Sequence, residues 1–518
     1  MNTSPLVLAI LDGYGIASDN EGNAVARAKK PNIDAISLNG VTTALAASGA
    51  AVGLLDGEAG NSEAGHMNLG AGRIVEQQVR RISRDIQEGN FFNNAAFLKA
   101  AEHAKKGNGR VHLMGLLSTA DSPHSNPEHL AALRRFCKEQ SIQNVYLHLF
   151  TDGRDSSPTD GERLLKVLVD SLQPHEKVVT IIGRAYAMDR KKDWKQIKHA
   201  YNALVLGEGE RASQALQGLR AAYKRGETDE FITPTIIDSD GNGEEGRIQD
   251  GDAIIFFNFR PDRARELCKA FLETDFEQGN QDAFAVRTFH DLCFVTLVDY
   301  GPSLPGAIPA YSEIQVTETF PMLLSGLRQL YVGESEKFAH VTYFFNGGHP
   351  GQVAGETQER VLSPDVVRYA KRPLMAASAV TDVVVAALQK QQFDVIVVNF
   401  ANPDMLGHTG DIAAAIVGIE EVDRCLGRIN EALEARQGTL VITADHGNAE
   451  CMLTTDGAIL TKHTASPVPL IIRCYGKSMQ GKKLAEGGVL GDVAPTLLAL
   501  LDIRQPAAMI GHSLLQEL

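Results

Sequence analysis

The sequence contains no Cys-x-x-Cys pair, and its cysteines are scattered along the chain. They lie at Cys137, Cys268, Cys293, Cys425, Cys451 and Cys474. This spacing indicates neither a disulfide framework nor a zinc ribbon. Long apolar runs are also missing, since none approaches the roughly 20 residues that a membrane-spanning helix needs, and the N-terminal segment lacks the basic region of a signal peptide. We therefore expect a cytoplasmic protein with no membrane partner.

Positive charge is in short supply. Lysine and arginine number 50 against 64 aspartates and glutamates, which gives a net charge of −14. This balance argues against nucleic acid as the main partner. An anionic substrate would have to be held by a local group of cations or by metal ions. The Walker A, HExxH and GxSxG signatures of three other enzyme classes are absent as well.

The length of 518 residues exceeds what one compact core usually holds, which predicts two or more domains. Short Val/Ile/Leu runs alternate with helical periodicity, most clearly at 412–433, both near the termini and through the middle of the chain. We predict an α/β fold in which residues 1–76 and 311–518 form one domain. Residues 77–310 are expected to form a second α/β domain inserted into the first.

Three apolar runs, at 6–11, 395–400 and 440–444, lead into loops that carry acids. These acids are Asp12, Asp404 and Asp445. Runs of this kind indicate buried strands of a parallel sheet, and ligands of such sheets bind beyond the carboxyl ends of the strands. Histidines accompany the acids at His408, His446 and His463. We predict that the acids and histidines meet at one sheet edge and hold a divalent ion such as Mn²⁺ or Zn²⁺.

Two features of this pattern have a simpler interpretation. Asp404 and His408 stand four residues apart, which places them on one side of a helical turn, but a helix-capping aspartate and a surface histidine have the same spacing. Ser62, in the sequence GNSEAGH, would be an activated nucleophile beside metal ions. The alternative for Ser62 is a helix N-cap with Glu63 behind it.

The middle of the chain supplies cations in loops that follow predicted strands. They are Arg154, Arg184, Arg190, Arg260 and Arg263, with Lys337 after the predicted insertion. The arginine fork suits phosphate and carboxylate, so these residues favour a small polyanionic ligand over solvated surface charges. His124 and Asp155 lie in similar loops and are candidates for a phosphate ligand or an acid/base, or for ordinary turn residues.

Nine motifs in collinear order cover almost the whole chain. They are LDGYG, GNSEAGHMNLGAGR, DGRDSSP, GRAYAMDR, NFRPDRARE, EKFAHVTYFFNGG, NPDMLGHTGD, TADHGNAE and HTASPVP. In these motifs the chain resembles the cofactor-independent phosphoglycerate mutases, a family of the alkaline-phosphatase-like superfamily. The resemblance implies interconversion of 3-phosphoglycerate and 2-phosphoglycerate in glycolysis and gluconeogenesis, without 2,3-bisphosphoglycerate, by a monomer that carries two Mn²⁺, or Mg²⁺ or Co²⁺, ions.

The resemblance also implies a role for each matching residue. One metal ion would be bound by Asp404, His408 and His463, and the other by Asp12, Ser62, Asp445 and His446. Ser62 would be the phosphoserine nucleophile. Phosphoglycerate would be held by His124, Arg154, Asp155, Arg184, Arg190, Arg260, Arg263 and Lys337. Where the family usually has Val, Leu and Asn, this chain has Ala64, Met67 and Ser466, changes that we expect to alter packing and the surroundings of a metal ligand, not the activity.

A two-step phosphoryl transfer follows from this interpretation. Ser62 would take the phosphate from 3-phosphoglycerate, and the 2-hydroxyl of the retained glycerate would take it back, with Asp155 as the candidate general base. Retaining glycerate requires the exclusion of water, so the two domains are expected to close over it. Two alternatives remain: a metal-dependent phosphomonoesterase of the same superfamily, and a non-catalytic metabolite-binding protein.

Overall fold

The computed structural model describes residues 4–120, 122–238, 241, 244–301, 304–476, 479 and 481–517. Its internal contacts divide the chain into two compact units. The first unit combines Met1–Gln77 with Ile314–Leu518, and the second is Gln78–Glu313. Each unit buries its own hydrophobic core around its own sheet. The α/β character expected from the sequence is therefore present in both units.

The strands are numbered in chain order. They are β1 (Leu6–Leu11), β2 (Val41–Ala46), β3 (Arg110–Leu117), β4 (Asn144–Thr151), β5 (Glu176–Gly183), β6 (Glu210–Ala212), β7 (Thr235–Ile237), β8 (Ala253–Phe256), β9 (Cys293–Val298), β10 (Ala307–Tyr311), β11 (Gln329–Glu334), β12 (Thr357–Val361), β13 (Val395–Phe400), β14 (Thr439–Thr443), β15 (Val468–Cys474), β16 (Lys482–Leu484), β17 (Gly488–Val489) and β18 (Leu515–Glu517).

The α-helices are numbered in the same way. They are α1 (Ala24–Arg27), α2 (Pro31–Leu38), α3 (Ser62–Ala71), α4 (Gln78–Glu88), α5 (Ala95–Lys106), α6 (Pro127–Glu139), α7 (Gly161–Asp170), α8 (Arg184–Ala187), α9 (Trp194–Val205), α10 (Ala215–Lys224), α11 (Arg265–Leu272), α12 (Phe276–Gly279), α13 (Phe320–Leu323), α14 (Ala377–Gln389), α15 (Asn402–Gly407), α16 (Ile412–Glu434) and α17 (Val493–Leu500). Shorter 3₁₀ and π turns lie between them at Gly49–Val52, Asn90–Asn93, Asp229–Phe231, His340–Phe344, Tyr369–Lys371 and Leu490–Asp492.

The sheet of the first unit has the strand order β12-β11-β13-β1-β14-β15-β2-β17. Its centre is parallel: β1 pairs with β13 on one side and with β14 on the other. All residues of β1 and β13 are buried, as expected for apolar strands with both faces covered. β15 runs antiparallel to both β14 and β2. The predicted strands at 6–11, 395–400 and 440–444 are confirmed, with the last one shifted by a single residue.

The sheet of the second unit has the order β10-β9-β8-β3-β4-β5-β7-β6. From β10 to β5 every pairing is parallel, and only β7 is antiparallel to β5. Parallel neighbours need crossover connections, and α6, α7 and α11 lie in the connections from β3 to β4, from β4 to β5 and from β8 to β9. Four neighbouring strands, β8, β3, β4 and β5, therefore present their carboxyl ends at one edge of this sheet.

The predicted helix at 412–433 is confirmed as α16, whose N-cap Asp411 accepts a hydrogen bond from Ala414 N at 3.0 Å. Among the described helices, none combines the length and the apolar character that crossing a bilayer requires. The six cysteines are free, and all except Cys451 are buried.

Candidate active site

The first unit brings the predicted acids and histidines to one edge of its sheet. β1, β13 and β14 are parallel neighbours, so the loops after them, which carry the three acids, begin at the same edge. Because β15 is antiparallel to β14, the loop that enters β15 reaches this edge with His463. Lys337 follows β11, the parallel neighbour of β13. The acid–histidine cluster is defined here as Asp12, Ser62, Asp404, His408, Asp445, His446 and His463.

Ser62 is the first residue of α3, and its hydroxyl faces the cluster. Asn61 is the N-cap, because its side chain accepts a hydrogen bond from Ala64 N at 2.9 Å. The capping alternative for Ser62 is therefore wrong. Ser62 Oγ lies 2.9 Å from His446 Nε2, 3.3 Å from Asp12 Oδ1 and 2.8 Å from Lys337 Nζ. A buried hydroxyl at a helix N-terminus, with an ammonium donating to it, is in surroundings that stabilise its deprotonated, alkoxide form.

Two histidine nitrogens converge on Asp404. His408 Nδ1 lies 2.8 Å from Thr461 O, and His463 Nδ1 lies 2.9 Å from Gly60 O, so each Nδ1 carries the proton. Both Nε2 lone pairs then face each other at 3.0 Å, and they lie 3.3 and 3.2 Å from Asp404 Oδ1. Two lone pairs and a carboxylate oxygen repel one another unless a cation lies among them. This donor set fits a divalent metal ion.

A second group of donor atoms surrounds His446. Asp12, Asp445 and His446 offer donor atoms within 4.8 Å of one another, and so do Asp404, His446 and His463. Asp445 is completely buried, and its Oδ2 lies 3.2 Å from His66 Nδ1 and 3.4 Å from His446 Nε2. A buried carboxylate oxygen of this kind is costly without a compensating cation. The residues present therefore fit two metal ions that share one cluster.

Lys337 supplies the positive charge nearest to these acids. Its Nζ lies 2.6 Å from both Asp12 Oδ1 and Asp404 Oδ2. Burial alone would lower the pKa of this ammonium, but the two carboxylates hold it above its ordinary value. Burial and the nearby charge of Asp445 raise the pKa of Asp12. One ammonium thus lies among three buried acids, Asp12, Asp404 and Asp445. The net negative charge of these four groups still favours the binding of cations.

Sequence reasoning did not single out the residues that support the cluster. His66 contacts Asp445 Oδ2 at 3.2 Å, Asn399 Nδ2 donates to Asp12 Oδ2 at 2.8 Å, and Asn448 Nδ2 donates to Asp404 Oδ1 at 2.7 Å. All three are completely buried. Two of them lie inside motifs already noted, GNSEAGH and TADHGNAE. Their polarity at buried positions next to predicted ligands is the signal that could have identified them.

The second unit brings its predicted ligand-binding residues, five arginines with His124 and Asp155, to one edge of its own sheet. His124 follows β3, Arg154 and Asp155 follow β4, and Arg184 and Arg190 follow β5. Arg260 and Arg263 follow β8. These seven residues, His124, Arg154, Asp155, Arg184, Arg190, Arg260 and Arg263, are called the cation cluster below. Lys337 is not among them, because its ammonium contacts Ser62, Asp12 and Asp404 of the first unit.

Arg184 is the buried centre of the cation cluster. Its Nη1 donates to Asp152 Oδ1 at 2.5 Å and to Asp155 Oδ2 at 2.6 Å. The remaining Arg184 nitrogens, Nε and Nη2, are buried and have no partner within the described residues. A guanidinium with orphaned donors in such a place fits an anionic ligand. Arg184 is therefore not one of the solvated surface arginines that the sequence left as an alternative.

Asp262 is shared by the cations around it. Arg190 Nη1 and Arg260 Nε each lie 3.2 Å from one of its oxygens. Burial, and next the charges of Arg184, Arg260, Arg263 and Arg190, lower the pKa of His124 to about 2. His124 is therefore neutral at physiological pH and can donate a hydrogen bond to a phosphate. The concentration of positive charge indicates a polyanionic ligand.

Asp229 is a further residue that sequence reasoning missed. Its carboxylate accepts hydrogen bonds from Gly161 N at 2.7 Å and from the Tyr223 hydroxyl at 2.5 Å, and its backbone N–H donates to Pro158 O at 2.8 Å. Thr151 Oγ1 also donates to Asp229 O at 2.7 Å. The loop that carries Arg154 and Asp155 is thus attached at both ends to one buried residue that is distant in sequence.

Known proteins match the chain along its whole length. The family model of the metalloenzyme superfamily matches residues 4–505. The 2,3-bisphosphoglycerate-independent phosphoglycerate mutase of Clostridium perfringens strain ATCC 13124 is 44% identical over 522 residues, covering 100% of both chains. That of Desulforudis audaxviator is 46% identical over 516 residues, covering 99% of each. A crystal structure of Leishmania mexicana phosphoglycerate mutase at low cobalt concentration is 29% identical with a TM-score of 0.80, covering 100% of this chain and 98% of that one.

Proposed function

Because this chain belongs to the 2,3-bisphosphoglycerate-independent phosphoglycerate mutases of the metalloenzyme superfamily, we propose that it works through a phosphoserine on Ser62. It is an isomerase that interconverts 3-phosphoglycerate and 2-phosphoglycerate in glycolysis. The alkaline-phosphatase-like α/β fold with two domains, expected from the sequence, is confirmed by the same matches. The observation that carries the proposal is the Ser62 hydroxyl held among Lys337, His446 and Asp12.

Two divalent metal ions are assigned to the acid–histidine cluster. One would be held by Asp404, His408 and His463, and the other by Asp12, Ser62, Asp445 and His446. Oxygen and imidazole donors suit Mn²⁺, with Mg²⁺ or Co²⁺ as substitutes, and the reaction uses no 2,3-bisphosphoglycerate. When bound, the ions would favour the Ser62 alkoxide and neutralise charge on the phosphoryl oxygens.

In the first step, Ser62 Oγ forms a bond to phosphorus and the bond from phosphorus to O3 of 3-phosphoglycerate breaks. Lys337 donates to Ser62 Oγ and stabilises its negative charge before the attack. Ser62 gives up one proton and the departing O3 takes up one, with Asp155 as the proposed carrier, so that neutral glycerate hydroxyl groups result. The enzyme then carries the phosphate on Ser62, and glycerate stays bound.

In the second step, the 2-hydroxyl of glycerate gives its proton to Asp155 and attacks the phosphorus of phosphoserine. Ser62 leaves as the alkoxide, and the Lys337 ammonium again stabilises it. The proton from the 2-hydroxyl then returns to Ser62, so Asp155 and Ser62 regain their starting forms and protons balance over the cycle. Arg184 holds the Asp155 carboxylate at 2.6 Å, which fixes the direction of its oxygens for both transfers.

The cation cluster is proposed to bind the anionic groups of phosphoglycerate. Its buried guanidinium at Arg184 and the neutral His124 would orient the ligand, and the other arginines would add charge. We assign residues 1–76 and 311–518 to a metal-binding phosphatase-like domain and residues 77–310 to an inserted substrate-binding domain. The protein is proposed to act as a cytoplasmic monomer without a nucleic-acid or membrane partner, and its free, mostly buried cysteines suit a reducing compartment.

Phosphorus NMR tests this function directly. Metal-free protein is mixed with 3-phosphoglycerate, and spectra are recorded before and after addition of Mn²⁺, which is chelated just before each spectrum. 2-Phosphoglycerate is expected only after the metal is added, with no bisphosphoglycerate. Release of inorganic phosphate instead would favour a phosphomonoesterase, and no change in either condition would favour a binding protein.

The phosphoserine is tested by a matched pair of variants. Ser62→Ala is expected to abolish phosphate transfer, and peptide mass spectrometry of quenched wild-type enzyme should find phosphate on the peptide that contains Ser62. Ser83→Ala removes another buried serine, which donates to Glu128 at 3.0 Å in the second unit, and should keep its activity. Transfer by Ser62→Ala at the wild-type rate would refute the scheme.

A further inference from the structure

Glu450 lies at the end of the TADHGNAE motif and is completely buried in the first unit. Its carboxylate accepts hydrogen bonds from Gly15 N at 3.2 Å and Asn448 N at 2.7 Å, and from the Thr464 hydroxyl. We propose that Glu450 is a positioning residue that sets the metal affinity of the acid–histidine cluster. This inference rests on the proposed function only in that the cluster binds divalent ions.

The three donors come from two connections that carry ligands of the cluster: Gly15 lies after β1, and Asn448 and Thr464 lie between β14 and β15. Gly15 follows Asp12, Asn448 follows His446, and Thr464 follows His463. Gly15 lies 435 residues from Glu450 in the chain and Thr464 lies 14 residues from it, yet these segments meet at one carboxylate group. Holding them at fixed mutual distances fixes the distances between their ligand atoms.

The segment that carries Asp404 is also attached, through Asn448. Its backbone N–H is bound by Glu450, and its side chain donates to Asp404 Oδ1 at 2.7 Å and to Asp404 O at 3.3 Å. A change at Glu450 should therefore be felt at Asp404 as well. Both proposed metal positions depend on loops that this carboxylate joins.

Close packing around Glu450 supports a specific role for its side chain. A Cβ atom on Gly15 would lie 2.3 Å from Glu450 Cδ, and one on Gly447 would lie 2.6 Å from Glu450 Oε1. The glycines at these positions let two backbones approach the carboxylate directly. Truncation of Glu450 would leave two backbone donors and one hydroxyl buried without an acceptor, so the loops would be expected to shift.

Metal titration of the full-length protein tests the proposal. Isothermal calorimetry with MnCl₂ on metal-free protein is expected to give a Kd about 10- to 100-fold higher for Glu450→Ala than for wild type. Glu450→Gln keeps the shape and an acceptor oxygen, and should recover most of the affinity. Glu450→Asp keeps the charge but shortens the reach, and should lie between the two.

Glu356→Ala is the matched control. Glu356 is also buried in the first unit, but its carboxylate accepts from Asn346 at 2.8 Å and from Gln358, neither of which belongs to the cluster. A purely structural role for Glu450 would lower the unfolding temperature of the metal-free protein in both alanine variants and leave the Mn²⁺ affinity of both unchanged. That result would overturn the inference.

Three further outcomes can be distinguished. If Glu450→Ala does not fold, Glu450→Asp decides, and wild-type affinity in this variant would overturn the inference. If wild-type protein itself binds no Mn²⁺, the proposed function fails together with the inference that depends on it. If wild type binds Mn²⁺ and turns over phosphoglycerate while Glu450→Ala binds equally well, only the inference fails.

Discussion

At the scale of single residues, Lys337 contacts both the acids of the acid–histidine cluster and the proposed nucleophile. Its ammonium is buried between Asp12 and Asp404, each 2.6 Å away, and it donates to the proposed nucleophile at 2.8 Å. Sequence reasoning placed Lys337 with the phosphoglycerate ligands, and the contacts place it beside Ser62. Among the described residues, it is the only lysine or arginine that forms ion pairs with the acids of this cluster.

Lys337→Met is therefore expected to destabilise metal-free protein strongly. Removal of one partner from a buried ionic group leaves uncompensated charge, which typically costs about 3–5 kcal/mol. Urea unfolding in the presence of a chelator measures this change. Lys106→Met, at an exposed lysine paired with Glu102 in the second unit, should leave the midpoint unchanged. Equal midpoints for the two variants would contradict the prediction.

Arg263 is a half-buried arginine of the cation cluster. Its Nη1 lies 3.4 Å from Met188 O, and burial together with the charges of Arg184, Arg190 and Arg154 lowers its pKa. We expect Arg263→Lys to raise KM for 3-phosphoglycerate about tenfold or more, because lysine cannot form a bidentate bond to an anion. Arg220→Lys, at an exposed arginine paired with Glu162, is the control. Steady-state kinetics that show equal KM values would contradict this role.

At the scale of elements, the loop at 152–161 depends on an anchor from another part of the chain. Asp229 binds both Gly161 N and the Tyr223 hydroxyl, as described above. Asp229→Ala should lower kcat/KM about 10- to 100-fold, since small displacements of orienting residues have effects of this size. Hydrogen exchange in peptides covering 152–161 should become faster. Tyr223→Phe removes one of the bonds and should have a smaller effect in both measurements. Unchanged exchange in Asp229→Ala would contradict the anchoring role.

The segment that carries Arg190 is held by α11 through Glu266. Both Glu266 oxygens accept from Lys192 N at 3.0 Å. Burial, and then the neighbouring carboxylate of Asp189, raise the pKa of Glu266 to about 7. Because the folded-state pKa lies above the unfolded value of about 4.3, the folded protein binds the extra proton. This contribution to stability is complete below the unfolded pKa and is lost as the pH rises through 7.

Glu266→Gln should therefore flatten the pH dependence of stability. Between pH 5 and 8, the urea midpoint of chelator-treated wild-type protein is expected to fall more steeply than that of Glu266→Gln. Glu139→Gln, at a surface glutamate paired with Arg135, should retain the wild-type slope. Parallel curves for wild type and Glu266→Gln would show that Glu266 does not titrate in this range.

Sequence patterns predicted strands and helices well, but they did not predict the single residues that support the acid–histidine cluster. The apolar runs predicted β1 and β13, and the helical periodicity predicted α16. This was possible because burial of both strand faces, or of one stripe of a helix, determines which positions are apolar. The supporting residues His66, Asn399 and Asn448 could not be derived in the same way. Their roles depend on contacts between residues 44 to 387 positions apart, and a single buried polar residue has no periodic signature.

At the scale of the whole molecule, the two clusters belong to different compact units. The acid–histidine cluster lies in the first unit and the cation cluster in the second. Mn²⁺ alone, at a free concentration about 100 times its Kd, should stabilise the first unit by about 2.7 kcal/mol. Hydrogen exchange of the full chain should show slower opening of β1, β13 and β14 with metal, and no change in β3, β4 and β5. Equal protection of both sheets by metal alone would contradict this division.

The strand order of the first sheet also determines how long β1 lacks its neighbouring strands during translation. β1 is among the first segments to leave the ribosome, but its two neighbours in the sheet, β13 and β14, are encoded roughly 380 to 430 residues later. At translation rates of about 5–20 residues per second, the nascent strand waits on the order of 20 to 90 s for a partner. The whole second unit is synthesised during this interval. The exposed apolar strand of Leu6–Leu11 is therefore a natural client for chaperones that act during translation.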